Sequence, residues 1–382
     1  MWPRVWMAMK KRPLRSFASC AGVFTALSAI IFVVMCTAGC SNLGYYWQNT
    51  QGHIAVMNAA KPVQDWLADP QTSDATKRRL ELAQRIREFA SNELALPDNA
   101  SYTRYTDLKR SAVVWNVVAA PEFSLELKTW CFAVVGCVGY RGYYTEADAK
   151  AEAEKVKAQG YEVNVYGVPA YSTLGYLNWA GGDPLLSTFI TYPEGELARM
   201  IFHELSHQVL YVKDDTMFNE SFATAVERLG GQQWLVKNGS DAARSEYAAF
   251  DSKRKEFRAL MLRTRERLAA VYKENRALAI THTATDATKS VADKKQIAMQ
   301  QMREEYAQLK ATWGGFSGYD RFVANTNNAS LGALAAYDEL VPQFEAVFEK
   351  KGKNWTVFYQ AIKDITPLPK DARRAALLAM TK

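Results

Sequence analysis

Ile201-Phe202-His203-Glu204-Leu205-Ser206-His207-Gln208-Val209-Leu210 decides how this chain is read. Leu197, Ile201, Phe202, Val209 and Leu210 give the stretch the apolar content of a helix packed in a core. On a helix, His203 and His207 are four apart and point to the same side. Two imidazoles at that spacing can bind one Zn2+ at about 2.0–2.1 Å. Glu204 stands beside them, placed to take a proton from water. The chain has four histidines, His53, His203, His207 and His282, and two of them fall in this one decapeptide. The other two have no partner pattern and read as surface or structural residues.

Thirteen residues after His207 comes Glu220, in Asn219-Glu220-Ser221-Phe222-Ala223. The first helix is expected from about Glu194 to Val212, with a break at Lys213-Asp214-Asp215-Thr216. A second helix is expected from about Phe218 to Gly230. A break this short favours antiparallel packing, which lets Glu220 face the two histidines. Two His and one Glu leave a fourth zinc position for water, the catalytic arrangement; structural zinc sites are usually filled and cysteine-rich. Thr224, one turn beyond Glu220, and Asp214 and Asp215 in the break are candidates for a hydrogen bond to a ligand histidine. Each also reads as a cap or solvated turn. Glu227, two turns beyond Glu220, reads as a salt-bridge or capping residue.

Upstream, residues 45–120 read mainly helical, with Leu80, Leu82, Ile86 and Phe89 at helical spacing and Asp69-Pro70 and Pro97-Asp98-Asn99 as breakers. Val113 to Val118 reads as a short strand ended by Pro121, and Glu146 to Gln159 as a helix closed by Gly160. Tyr161 to Val168 alternates like a half-buried strand. Leu185 to Tyr192, after the turn Gly181-Gly182-Asp183-Pro184, reads as another. Downstream, residues 241–313 are highly charged and helical on both sides of a break near Thr281 to Thr288, a long helical hairpin with mostly solvated faces. A further helix is expected from Leu331 to Lys350. The fold class is therefore α+β, mainly helical, with the active-site helix pair beside a small β-sheet. The expected domains are a signal segment over 1–39, a core over 40–240, the hairpin over 241–313 and a segment over 314–382 packing on the core.

The 382 residues are 48% hydrophobic and 23% charged, with 10 Trp, 19 Tyr and 17 Phe, which excludes a disordered or collagen-like chain. A mean hydropathy of −0.24 excludes a polytopic membrane protein. The net charge of +7 does not signal nucleic-acid binding. Residues 1–39 carry five basic side chains and no acid, so residue 40 onward has 42 bases against 40 acids and no basic stripe.

Lys10 to Arg15 precede an apolar run from about Val23 to Met35, as in a secretory signal. The run ends in Thr37-Ala38-Gly39-Cys40-Ser41, which is similar to a bacterial lipobox with Thr37 where leucine is usual. Cys40 is then the lipidated residue; the other reading is an uncleaved anchor helix. Ser41 after the cysteine resembles the outer-membrane sorting pattern, which implies a lipid anchor in the outer membrane with the chain facing the periplasm. Cys20 and Cys36 leave with the signal, so Cys131 and Cys137 remain as a disulfide in an oxidising compartment, or as two buried thiols.

HELSH followed by NESFA resembles the gluzincin metallopeptidases, whose ligands are HExxH and a glutamate of an NExxA-like motif, though the spacing here is shorter. The longer pattern resembles a family of predicted bacterial aminopeptidases. It runs through Val113-Val114-Trp115-Asn116-Val117, Ala120-Pro121-Glu122-Phe123-Ser124, Tyr140-Arg141-Gly142-Tyr143, Ala170 to Gly175, Ile201 to Leu210 and Phe218 to Ala223. The resemblance implies a zincin-like core, one zinc per chain on His203, His207 and Glu220, Glu204 as general base, and a peptide substrate. An aminopeptidase also needs an acid for the substrate's ammonium, and the glycine-containing strand motif that supplies it in well-studied enzymes is absent. Asp183 is the candidate by position, or else a turn residue. Asn327, Asn328 and Tyr337 are candidate oxyanion donors, or else a turn pair and a core tyrosine. The rival functions are a zinc endopeptidase with the same residues and a non-catalytic lipoprotein that binds a protein or peptidoglycan through its hairpin.

Overall fold

The structure is a computed structural model that describes residues 44–132, 136–176, 178–278, 284–336 and 339–382. The signal segment with Cys40, the hairpin tip with His282, and Tyr337 lie outside the described residues. The chain divides into two units, Met1–His53 and Ile54–Lys382. In the first, residues 44–53 are helical. Among the described residues no helix is long and apolar enough to cross a membrane.

The second unit is α+β and mainly helical. It opens with a helical turn over 54–59 (α1), then β1 (Lys61–Pro62), α2 (Val63–Ala68) and α3 (Asp74–Leu94). Ser73 caps α3 by accepting from the Thr76 N–H, and Leu80, Ala83, Ile86, Ala90 and Leu94 are its fully buried stripe. Next come β2 (Arg104–Thr106), β3 (Val114–Pro121), β4 (Trp130–Phe132), β5 (Gly136–Val138), β6 (Arg141–Tyr143), α4 (Glu146–Lys157) and β7 (Tyr161–Val168). Strand β3 is central, antiparallel to both β6 and β7, with Asn116 opposite Tyr166. Helix α4 packs on this sheet, as does α10 (Asn328–Ala336), so β3 is buried on both faces and reads as a near-continuous apolar run. A disulfide joins Cys131 to Cys137, cross-strand partners in β4 and β5.

The expected strand from Leu185 to Tyr192 shortens to β8 (Leu185–Leu186), parallel to β2. Its remainder turns instead. Arg79 on α3 donates to the Ile190 carbonyl at 2.8 Å and to that of Tyr192, which fixes the chain before the next helix. That helix, α5 (Glu194–Ser206), stops six residues short of Val212. Then α6 (Thr216–Asn238) starts earlier and runs further than the sequence pattern implies. α7 (Asp241–Leu278) and α8 (Ala284–Thr312) pack on each other around Leu260, Met261, Leu268, Met299 and Met302. After α9 (Asp320–Ala324) and α10, the single helix expected from Leu331 to Lys350 is two, α10 and α11 (Val341–Lys350), followed by α12 (Trp355–Ile365) and α13 (Lys370–Ala379). Pro342 at the start of α11 explains the division: it has no N–H to continue a helix and suits a first turn. Phe344, Val347 and Phe358 of α11 and α12 join Phe202, Phe218 and Phe222 in one core.

Candidate metal centre

Helix α5 is a core helix rather than a surface one. Leu197, Ala198, Ile201, Phe202 and Leu205 are all fully buried, which leaves no solvent face in its second half. Phe202 stacks toward Phe89 of α3 at 6.1 Å, and truncating it to Ala would cost about 3–5 kcal/mol. Its partner α6 comes close because of Gly230 and Gly231. A Cβ on Gly231 would lie 2.7 Å from Arg199 Cγ, and one on Gly230 would lie 3.0 Å from Phe202 Cδ2. That approach brings the carboxylates of α6 onto the polar edge of α5.

His203 Nε2 lies 3.3 Å from Glu220 Oε2, and His207 Nε2 lies 3.7 Å from the same oxygen. The two rings stand nearly perpendicular at 4.9 Å. One ligand atom from each of the three residues lies within 4.8 Å of the others, so the group can hold a metal ion. The donor set fits zinc: two imidazoles and one carboxylate, with a position left for water. The charge states of His207 and Glu220 fit as well, whereas His203, favoured in its protonated form without a metal, would release that proton on binding one. Burial depresses His207 to about 4, so it is the neutral imidazole that ligation requires. Glu220 is held below the usual carboxylate range because His207 and His203 outweigh its burial. Burial opposes the charged form of His203, but its hydrogen bonds to Glu220 and Glu227 raise it well above an ordinary histidine.

Glu204, 8% exposed, is pushed up to about 7 by burial. His203 opposes that shift, and the charges of Glu220, Asp183 and Glu227 add to it. A carboxyl so tuned can exchange a proton near neutral pH.

The group that orients His203 is Glu227. Its Oε2 accepts from His203 Nδ1 at 2.8 Å, which directs Nε2 inward. Its Oε1 pairs with Arg199, whose side chain is 4% exposed. The chain of charge then leaves the centre. Arg199 Nη1 lies 3.8 Å from Glu196 and 3.9 Å from Asp251, and Arg254 of α7 grips Glu196 through two bonds of 2.8 and 2.7 Å. Here the sequence reading was incomplete. Glu227 does form a salt bridge, but it also holds a ligand histidine. The legible signal was spacing: seven residues beyond Glu220 is two turns, the same helix face.

The other candidates fall elsewhere. Asp215 caps α6, accepting from the Phe218 N–H at 3.3 Å, and pairs with Arg373 at 2.7 Å. Asp214 accepts from the Cys137 N–H at 2.6 Å. Thr224 is buried one turn past Glu220, yet the partner on His203 Nδ1 is Glu227, and His207 Nδ1 has no hydrogen-bond partner among the described residues. Asp183 is 2% exposed, and its carboxylate accepts from the Thr173 N–H, so it braces the loop after β7. Asn327 donates to the Val163 carbonyl, and Asn328 to the carbonyls of Pro121 and Glu122, so both pin α10 to the sheet. Asn219 of the NESFA motif holds the break between the helices: it donates to the Val212 carbonyl and accepts from the Val212 N–H, each at 2.8 Å. Gln208, next to His207, joins Asn99, Ser101 and Asn178 in a polar cluster.

A buried pair of histidines sharing one carboxylate, with a second buried carboxylate beside it, is a group that could hold a metal ion. A family model described as "Putative aminopeptidase" matches residues 44–377, and the chain belongs to that family. No curated protein matches the chain, and no solved structure does.

Proposed function

We propose that the chain is a zinc-dependent peptidase of the gluzincin kind, acting as an aminopeptidase. One observation carries the reading: His203 and His207 both turn Nε2 toward Glu220 Oε2, at 3.3 and 3.7 Å, with Glu204 buried alongside. A zinc ion held by those three residues would supply Lewis acidity toward a peptide carbonyl and toward water. Glu204 takes the proton from the attacking water and passes it to the leaving amine. Its position near neutrality suits it to both transfers. Glu227 keeps the His203 ring oriented, and Arg199 keeps Glu227 ionised. The family to which the chain belongs supports a peptide substrate.

The address is part of the same proposal. Residues 1–39 act as a bacterial lipoprotein signal, Cys40 takes the lipid, and the enzyme stands on the outer membrane facing the periplasm. The support is the sequence Thr37-Ala38-Gly39-Cys40-Ser41 behind its basic and apolar regions.

The metal is tested by content. The purified protein is expected to carry about one zinc per chain, as a three-residue site of this type binds one ion. His203→Ala, His207→Ala and Glu220→Ala are each expected to lose it. Retention of zinc in all three would place the metal elsewhere.

A further inference from the structure

A cavity of about 330 Å³ lies where the N-terminal end of α6, the face of β3 and β7, the β4–β5 hairpin and α10 meet. Its volume falls in the range of about 300–1,000 Å³ typical of small-ligand pockets. One of its walls shares a helix with the metal centre. Thr216 and Met217 line it from α6, and they stand four and three residues before Glu220, hence on the adjoining face of the same helix. Tyr166 lines it from β7, opposite Asn116 of β3.

Much of the lining is apolar. Val118, Leu127, Tyr140, Met217, Ala333 and Ala335 form its walls. Two of its charged residues already have partners: Asp214 holds the Cys137 N–H, and Arg265 donates to the Leu331 carbonyl at 2.6 Å. Glu126 and Lys370 are exposed. By contrast, none of His203, Glu204, His207 and Glu220 has a helical neighbour in the larger cavity of about 630 Å³ by Arg228, Gln232 and Tyr247, which opens toward α7 and α11.

We propose that the cavity beside Glu220 is the specificity subsite of the peptidase, receiving a large apolar or aromatic side chain of the residue next to the scissile bond. The inference rests on the peptidase reading above and adds the substrate class to it. A side chain seated there buries apolar surface against Leu127, Met217 and Ala333. A glycine gains nothing from those walls.

The experiment is digestion of a mixed peptide library by the parent enzyme, by Ala333→Phe and by Leu127→Ala, with products read by mass spectrometry and kcat/KM taken for matched Leu, Trp and Gly peptides. The parent is expected to favour Leu, Phe and Met over Gly by roughly tenfold or more, the scale on which apolar pockets discriminate. Ala333→Phe fills the cavity and should lower the Leu-to-Gly ratio by about tenfold. Leu127→Ala enlarges it and should raise the Trp-to-Leu ratio, so the inference stays testable if one variant does not fold. Glu204-dependent hydrolysis with a flat side-chain profile, or equal losses for all three peptides, would overturn the subsite and leave the peptidase reading standing. No hydrolysis of any peptide by the zinc-loaded parent would overturn both.

Discussion

Glu227→Gln isolates the part of the centre that is least visible in the sequence. The substitution keeps the size of the side chain and an oxygen that can still accept from His203 Nδ1, but it removes the charge from a 2.8 Å bond and from the pair with Arg199. Carboxylate partners of ligand histidines typically contribute about 10–100-fold to metal affinity. That range corresponds to roughly 1.4–2.8 kcal/mol. Stability should also fall. Arg199 is left with Glu196 and Asp251 at 3.8 and 3.9 Å, both shared with Arg254. Breaking a buried pair on one side costs on the order of 3–5 kcal/mol, and the two residual partners should soften that figure here. Arg199→Met is the control: it removes the ion pair but keeps the bond to His203. Zinc dissociation constants from competition with a chelator, together with melting of the metal-free proteins, separate the two effects. Both variants should melt lower, and Glu227→Gln should bind zinc at least tenfold more weakly while Arg199→Met stays within about threefold of the parent. A folded Glu227→Gln protein with the parent's zinc affinity would refute the role given to Glu227.

Acid should weaken the metal-free protein in a window set by His207. Its ordinary value of 6.5 falls to about 4 on burial, so between those values the unfolded chain takes up a proton that the folded chain refuses. Stability should therefore drop as pH falls from 6.5 to 4, by up to about 1.36 kcal/mol per pH unit. His203 is shifted the other way, so its contribution is fully present below 6.5 and is lost only as pH rises through its folded value. Melting curves of His207→Gln should lack part of the acid slope; an unchanged slope would reject the assignment. At the N-terminus, Cys40→Ser should leave unprocessed precursor and abolish palmitate labelling, and normal labelling would sink the lipid anchor.

Much of the helical framework was legible because its periodicity is strong. Leu80, Ile86 and Phe89 mark α3, and Glu146 to Lys157 with Gly160 behind it marks α4. The errors came where tertiary contacts decide the outcome. Nothing in the β-branched run after Leu186 announces that Arg79 will hold the carbonyls of Ile190 and Tyr192 and turn the chain. α5 ends at Ser206, and the segment after it is held by Asn219 of the next helix, which clamps Val212. At the site, His203, Glu204, His207 and Glu220 were readable from spacing because one helix and one short break bring them together. Glu227 was readable as a charged residue on the right face, but its link to His203 depends on how closely Gly230 and Gly231 let α6 approach α5. Asp183 reads from its place after two glycines as a turn residue or a substrate contact, and neither reading announces that it is buried with its carboxylate accepting from the Thr173 N–H.

The most direct test of the account is Glu204→Gln. In this reading Glu204 binds no metal and only moves protons, so the variant should keep the parent's zinc content and melting temperature. Its peptide hydrolysis should fall by roughly a hundredfold or more, the contribution of a positioned general base. A variant that loses zinc would make Glu204 a structural residue of the centre, and a variant that hydrolyses peptides as fast as the parent would contradict the mechanism outright.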